Sequence, residues 1–121
     1  MTKAGDKPFE TWAEVAAFAL SLPDTELSTS YGKPAVKIRG KAFLFPGRAQ
    51  GSFAVMSQLD EKELLMDTEP DTFWETPHYS GYPAVLVHFD SPARARIELV
   101  VTRAWWDRAS KVQRTSFGPR P

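Results

Sequence analysis

The sequence predicts an α+β domain in which an antiparallel sheet carries the N- and C-terminal helices on one face. Three observations lead there. Apolar residues recur at helical spacing near the two ends and in one short middle segment, whereas alternating or continuous apolar runs bounded by Gly and Pro fill the rest. Strands clustered between helices, rather than interleaved with them, favour an antiparallel sheet. The 121 residues, 42% hydrophobic and 25% charged, suit one domain spanning 1–121 with its own core and are too few for two.

The first helix opens at Thr11, with Glu14 three residues on, a spacing that lets each side chain satisfy an orphan amide of the other. Trp12, Val15, Ala16, Ala19 and Leu20 form its apolar stripe, and Pro23 ends it. Ala35 to Arg39 alternates, placing Val36 and Ile38 on one face and Lys37 and Arg39 on the other. Gly40-Lys41 reads as a tight turn into Ala42–Phe45, which Pro46-Gly47 terminates. Ser52–Ser57 is a third strand. Asp60 reads as the cap of a short helix, with Glu63 following and Leu64 and Leu65 as its apolar residues. Phe73–Thr76 is a short extended piece, and Ala84–Phe89 is the strongest strand. Ser91-Pro92 has the residue types of an N-cap and first helical position, ahead of a stripe of Ile97, Val100, Val101, Ala104 and Trp105. The ordered core is expected over about 9–111, with 114–121 a polar, frayed tail.

There is no cysteine, which removes disulfides, thiolate metal sites and cysteine nucleophiles together and fits a reducing compartment. The stretch from Met1 to Glu10 is polar, without a signal-peptide core, and no segment has the ~18 apolar residues of a membrane span. The expectation is a cytoplasmic, monomeric protein with no membrane partner. Net charge is zero, from 15 basic and 15 acidic side chains, but the charges are segregated. Leu27 to Gln58 holds five basic residues and no acid; Asp60 to Glu75 holds seven acids and only Lys62; Ser91 to Pro121 holds seven basic residues against Glu98 and Asp107.

No residue set demands catalysis, a metal or a cofactor. His78 and His88 lack a His-x-x-His or carboxylate companion at ligand spacing, and His88 reads as a structural or surface residue of its strand. The acids Asp60, Glu61, Glu63, Asp67, Glu69, Asp71 and Glu75 lack the EF-hand order and read as a solvated, dipole-matched helix face. No nucleophile elbow or phosphate-binding glycine loop is present. Basic residues are the better lead: Lys37 and Arg39 on one strand face, Lys41 at the turn, Arg48 in the next loop. Arg94 and Arg96 lie in the first turns of the last helix, where the dipole disfavours cations. Arg94 has Glu98 at i+4; Arg96 has no such acid, which hints at an anion ligand. Phe73, Trp74, Tyr79 and Tyr82 are candidates for base stacking, with core packing the plainer alternative.

Two segments together resemble a known family. Ser28-Thr29-Ser30-Tyr31-Gly32-Lys33-Pro34-Ala35-Val36-Lys37, followed by a basic hairpin, is similar to the first signature of the MmcQ/YjbR family. Thr76-Pro77-His78-Tyr79-Ser80-Gly81-Tyr82-Pro83-Ala84-Val85-Leu86-Val87 is similar to its second, and the last helix with Ala104-Trp105 resembles the family's C-terminal helix. The resemblance runs from about Phe9 to Lys111. It implies a two-layer sandwich like bacterial frataxin (CyaY-like) and carries a "double wing" DNA-binding label. Ala35 and Ala84 depart from the larger apolar residues common in the family.

The leading expectation is therefore DNA binding, with Lys33, Lys37, Arg39, Lys41 and Arg48 on phosphates, helped by Arg94 and Arg96. The alternative is a small-molecule or anion-binding module at the motif loops, built on Tyr31, Gly32, Pro34, His78, Tyr79, Gly81 and Tyr82. A third reading follows the frataxin-like fold to iron held by the Asp60–Glu75 acids, on analogy alone.

Overall fold

The computed structural model describes residues 7–121, so the first six residues of the polar N-terminal stretch lie outside the described residues. Helix α1 (Trp12–Leu20) is followed by strands β1 (Thr25–Ser30), β2 (Lys33–Ile38), β3 (Lys41–Pro46) and β4 (Ser52–Met56). Helix α2 (Leu59–Thr68), the two-residue strand β5 (Phe73–Trp74) and a 3₁₀ turn at Pro77–Tyr79 precede β6 (Ala84–His88). Helices α3 (Arg94–Arg108) and α4 (Lys111–Phe117) complete the chain. The strands form one antiparallel sheet in the order β1-β2-β3-β4-β6-β5.

The core follows from alternation along these strands. Val36, Ile38, Phe53, Val55, Val85 and Val87 point to the layer of α1 and α3, where Trp105 is completely buried and its indole donates to the Pro23 carbonyl at 2.8 Å. Ala54, Ala84 and Leu86 point the other way and meet Tyr79. Strands β4 and β6 are thus covered on both faces, which is why they read as nearly continuous apolar runs. The register between β2 and β3 shifts between Val36 and Lys37. That irregularity lets the consecutive Phe43 and Leu44 both enter the helix-side core while Phe45 packs on the far face.

Several boundaries move. Strand β1 has no sequence signature because it is an edge strand paired with β2 alone, polar along most of its length and held by backbone bonds. The β2–β3 turn is Arg39-Gly40, both at positive φ (55° and 75°), so Arg39 leaves the strand face it was expected to share with Lys37. Helix α2 starts one residue before Asp60, and its buried residues are Lys62 and Leu65 rather than Leu64, which is 60% exposed. Ser91 accepts from the Ala93 amide as a cap should, but its hydroxyl also bonds Thr72 and regular helix begins only at Arg94. The expected frayed tail, 114–121, begins inside α4, which is opened by a Ser110–Gln113 capping box and packed through Phe117 against Trp105 at 5.0 Å between rings.

Candidate functional site

Two hairpin ends and one loop build a groove on the sheet face away from α1 and α3. The β1–β2 turn is Tyr31-Gly32, with φ of 54° and 78° at its two central residues. A two-residue turn of this hand matches the twist of its strands, and glycine fills the second position without strain. Tyr31 fills the first at a cost of about 1–2 kcal/mol, and its ring is wholly exposed. Lys33 opens β2 beside this tip, Lys41 opens β3, and Phe45 and Met56 contribute apolar surface.

Arg48 enters from the β3–β4 loop, which closes tightly because Gly47 donates to the Ser52 carbonyl at 3.2 Å. A side chain at position 47 would collide with Ser52 Oγ, so glycine at that point sets where Arg48 stands. Its guanidinium reaches His78, Nη1 lying 3.0 Å from Nδ1. Tyr79 is almost fully buried, with its hydroxyl 3.4 Å from the Arg48 amide, and Tyr82 remains 48% exposed. Arg108, from the end of α3, closes the groove. The space measures about 710 Å³, and no carboxylate lines it.

A buried lysine holds the loop side in place. Lys62 is 1% exposed and donates to the carbonyls of Tyr79 at 2.7 Å and Tyr82 at 2.8 Å, with Glu75 3.6 Å away. In the sequence it is only the single cation among seven acids; the signal that distinguishes it is the helical spacing Lys62, Leu65, Met66, which puts it on the apolar stripe of α2.

The chain's likenesses follow this geometry. The sequence model of the YjbR family matches residues 20–106, a span that holds both motif segments and most of the groove. The chain belongs to the YjbR family. Uncharacterized proteins of Mycobacterium bovis and Mycobacterium tuberculosis are 40% identical to it over 50 residues, 41% of this chain and 39% of theirs, so the match spans well under half the length of those relatives. The crystal structure of Deinococcus radiodurans protein DR2400, a DUF419 domain, superposes with a TM-score of 0.71 over 93% of this chain and 91% of that one, at 13% identity. That likeness is one of fold.

Within the YjbR fold the expected site residues divide. Lys33, Lys41 and Arg48 reach the groove with Tyr31, His78, Tyr79 and Tyr82, and Arg108, which the sequence did not single out, joins them from the end of α3. Gly32 and Gly81, both at positive φ, and Pro34, at the start of β2, shape the loops rather than line the groove. Lys37 lies opposite Glu26 in the β1–β2 ladder, so the acid-free stretch acquires an acid by strand pairing. Arg39 sits in the turn at the opposite end of β2 from Tyr31.

Arg94 is structural: it bonds Glu98 and the Lys7 carbonyl and lies 3.9 Å over the Phe9 ring. Arg96 has the partner its own helix lacks, Glu69 at the C-cap of α2, 3.1 Å away. The hint of an anion there is thereby explained by a tertiary ion pair. The acids disperse in the same way: Glu61 pairs with Arg103 and Arg120, Glu69 with Arg96, and Glu75 with Lys62. Among the described residues no three His, Asp or Glu side chains gather as a metal site, and the iron reading loses its geometric footing. His88 stacks on Trp74, their rings 4.7 Å apart and 4° from parallel. No described helix is long and apolar enough to cross a membrane.

Proposed function

We propose that this YjbR protein is a DNA-binding protein that grips phosphates in the groove rather than along the outer sheet surface. The observation that carries the reading is the convergence of Lys33, Lys41, Arg48 and Arg108 from four separate segments on one concavity with no carboxylate in its lining. Cations gathered without neutralising partners fit an anionic ligand, and phosphate contacts supply most of the affinity of such proteins. The chain's zero net charge is compatible with this because Arg94, Arg96, Arg103 and Arg120 are spent on internal ion pairs.

The test is a fluorescence-anisotropy titration of labelled DNA at low salt. Engagement of four phosphates gives a log–log salt slope of about −3 to −4 on duplex and about −3 on single strands. Arg48→Glu and Lys33→Glu each abolish measurable binding, and absence of binding by the unmodified chain at micromolar concentration overturns the reading.

One observation favours a second reading. The groove's roughly 710 Å³ lies within the ~300–1,000 Å³ of small-ligand sites. A phosphorylated or carboxylated small molecule would then occupy it, and thermal-shift screening of such anions in the absence of DNA tests this directly.

A further inference from the structure

Tyr31 is an aromatic side chain with no structural use. It occupies the turn position that tolerates a bulky residue least, at φ 54°, where asparagine or glycine sits without strain. Its ring is fully exposed and makes no hydrogen bond or ring contact among the described residues. Strain retained at an exposed position, with no packing gained for it, points to a role in binding. Tyr82, half-exposed, lines the same groove from the loop side, its carbonyl fixed by Lys62.

We propose that the groove is a site for single-stranded rather than duplex nucleic acid, in which Tyr31 is the platform for one unpaired base. This rests on the DNA-binding reading above and adds the strand form. The face of a tyrosine ring can be used only by a base whose own face is free; in a duplex those faces are already stacked inside the helix. A concave site lined by exposed aromatic rings and by Lys33, Lys41 and Arg48 offers a flexible strand both of its needs, charge for the backbone and rings for the bases. A duplex backbone would meet cations on an open surface, and of the two candidates outside the groove Lys37 is half-buried and Arg39 lies in the turn at the far end of β2.

The experiment compares a labelled twelve-residue oligothymidylate, a duplex of equal length and free thymidine monophosphate against the full chain and two variants. Tyr31→Asn keeps the turn and removes the ring; Tyr31→Phe keeps the ring. The expected result is tighter binding of the single strand than of the duplex. Binding of the single strand weakens about 5- to 150-fold in Tyr31→Asn, the range of one lost base stack. It changes less than threefold in Tyr31→Phe, and the residual duplex affinity is alike in all three proteins. Urea melts confirm that Tyr31→Asn remains folded. Equal affinity for both forms, or no effect of Tyr31→Asn, overturns the single-strand assignment and leaves DNA binding standing. Binding of thymidine monophosphate without the oligonucleotide also overturns it. Failure of either DNA form to bind at low salt overturns the underlying reading instead.

Discussion

The ammonium of Lys62 donates to the Tyr79 carbonyl at 2.7 Å across the junction between α2 and the loop that walls the groove. A second bond, to Tyr82, and the nearby Glu75 make this buried cation a peg for that loop. Lys62→Met keeps the volume but removes the donors. It leaves Glu75 without its cation, and both carbonyls keep only their backbone bonds from Tyr82 and Ala84. The expected loss in urea unfolding is about 1–3 kcal/mol. DNA affinity falls with it, through displacement of Tyr82 and His78. Unchanged stability would show that the loop is held by other contacts.

The basic residues separate into groove and framework, and mutation distinguishes them. Arg96→Ala removes a half-exposed ion pair with Glu69. It costs less than about 1 kcal/mol and leaves DNA affinity unaltered. Arg48→Ala leaves stability nearly unchanged and weakens binding at least tenfold. The reverse pattern in the same anisotropy assay would move the site to α3.

The turn at Tyr31-Gly32 predicts opposite effects at adjacent positions. Tyr31→Asn relieves left-handed strain and raises stability by about 1 kcal/mol. Gly32→Ala introduces strain at φ 78° and lowers it by a similar amount, although an added Cβ meets nothing within 4 Å. Thermal melts of the two variants check the sign.

The C-terminal segment is tied down by Arg120, which forks onto Asp107 and Glu61 at 2.8–3.2 Å. Its hydrogen bonds to Asp107, then those to Glu61, hold the guanidinium still further toward the charged form than usual. Arg120→Ala costs about 1 kcal/mol at low salt, less at high salt, and exposes residues 118–121 to carboxypeptidase. Protection equal to the parent would show that Phe117 on Trp105 suffices.

At the other end, the Glu14 carboxyl titrates below its usual range, chiefly because it accepts from the Glu10 amide and also from Thr11. A folded value below the unfolded one means that its contribution is complete above the ordinary carboxylate range and disappears as pH falls through the lowered value. Glu14→Gln retains the capping geometry and removes this part of the acid sensitivity. Acid titrations of the two proteins followed by circular dichroism would coincide if the cap carried no such linkage.

Much of the fold was legible because its signals are local. The Thr11–Glu14 box, the stripe from Ile97 to Trp105 and the doubly buried runs of β4 and β6 each declare an element from a few neighbouring residues. Strand β1 was not legible, since an edge strand held by backbone bonds needs no apolar face. The Ser110–Gln113 box that opens α4 is an equally local signal and went unread in the polar C-terminal stretch; its packing comes from Trp105 and Trp106 of the preceding helix.

For the groove, the sequence by itself determined which residue types were available: a basic, acid-free middle segment and two turn-rich motifs containing Tyr31 and His78. Tertiary structure alone decided which charges remain available to a ligand. Helix packing gives Arg96 to Glu69, whereas the same folding leaves Lys33, Lys41 and Arg48 around a space without carboxylates and places Lys37 outside its lining. Charge pairing depends on separation through space, and residues 27 positions apart, such as Glu69 and Arg96, become 3.1 Å neighbours only when the chain has folded.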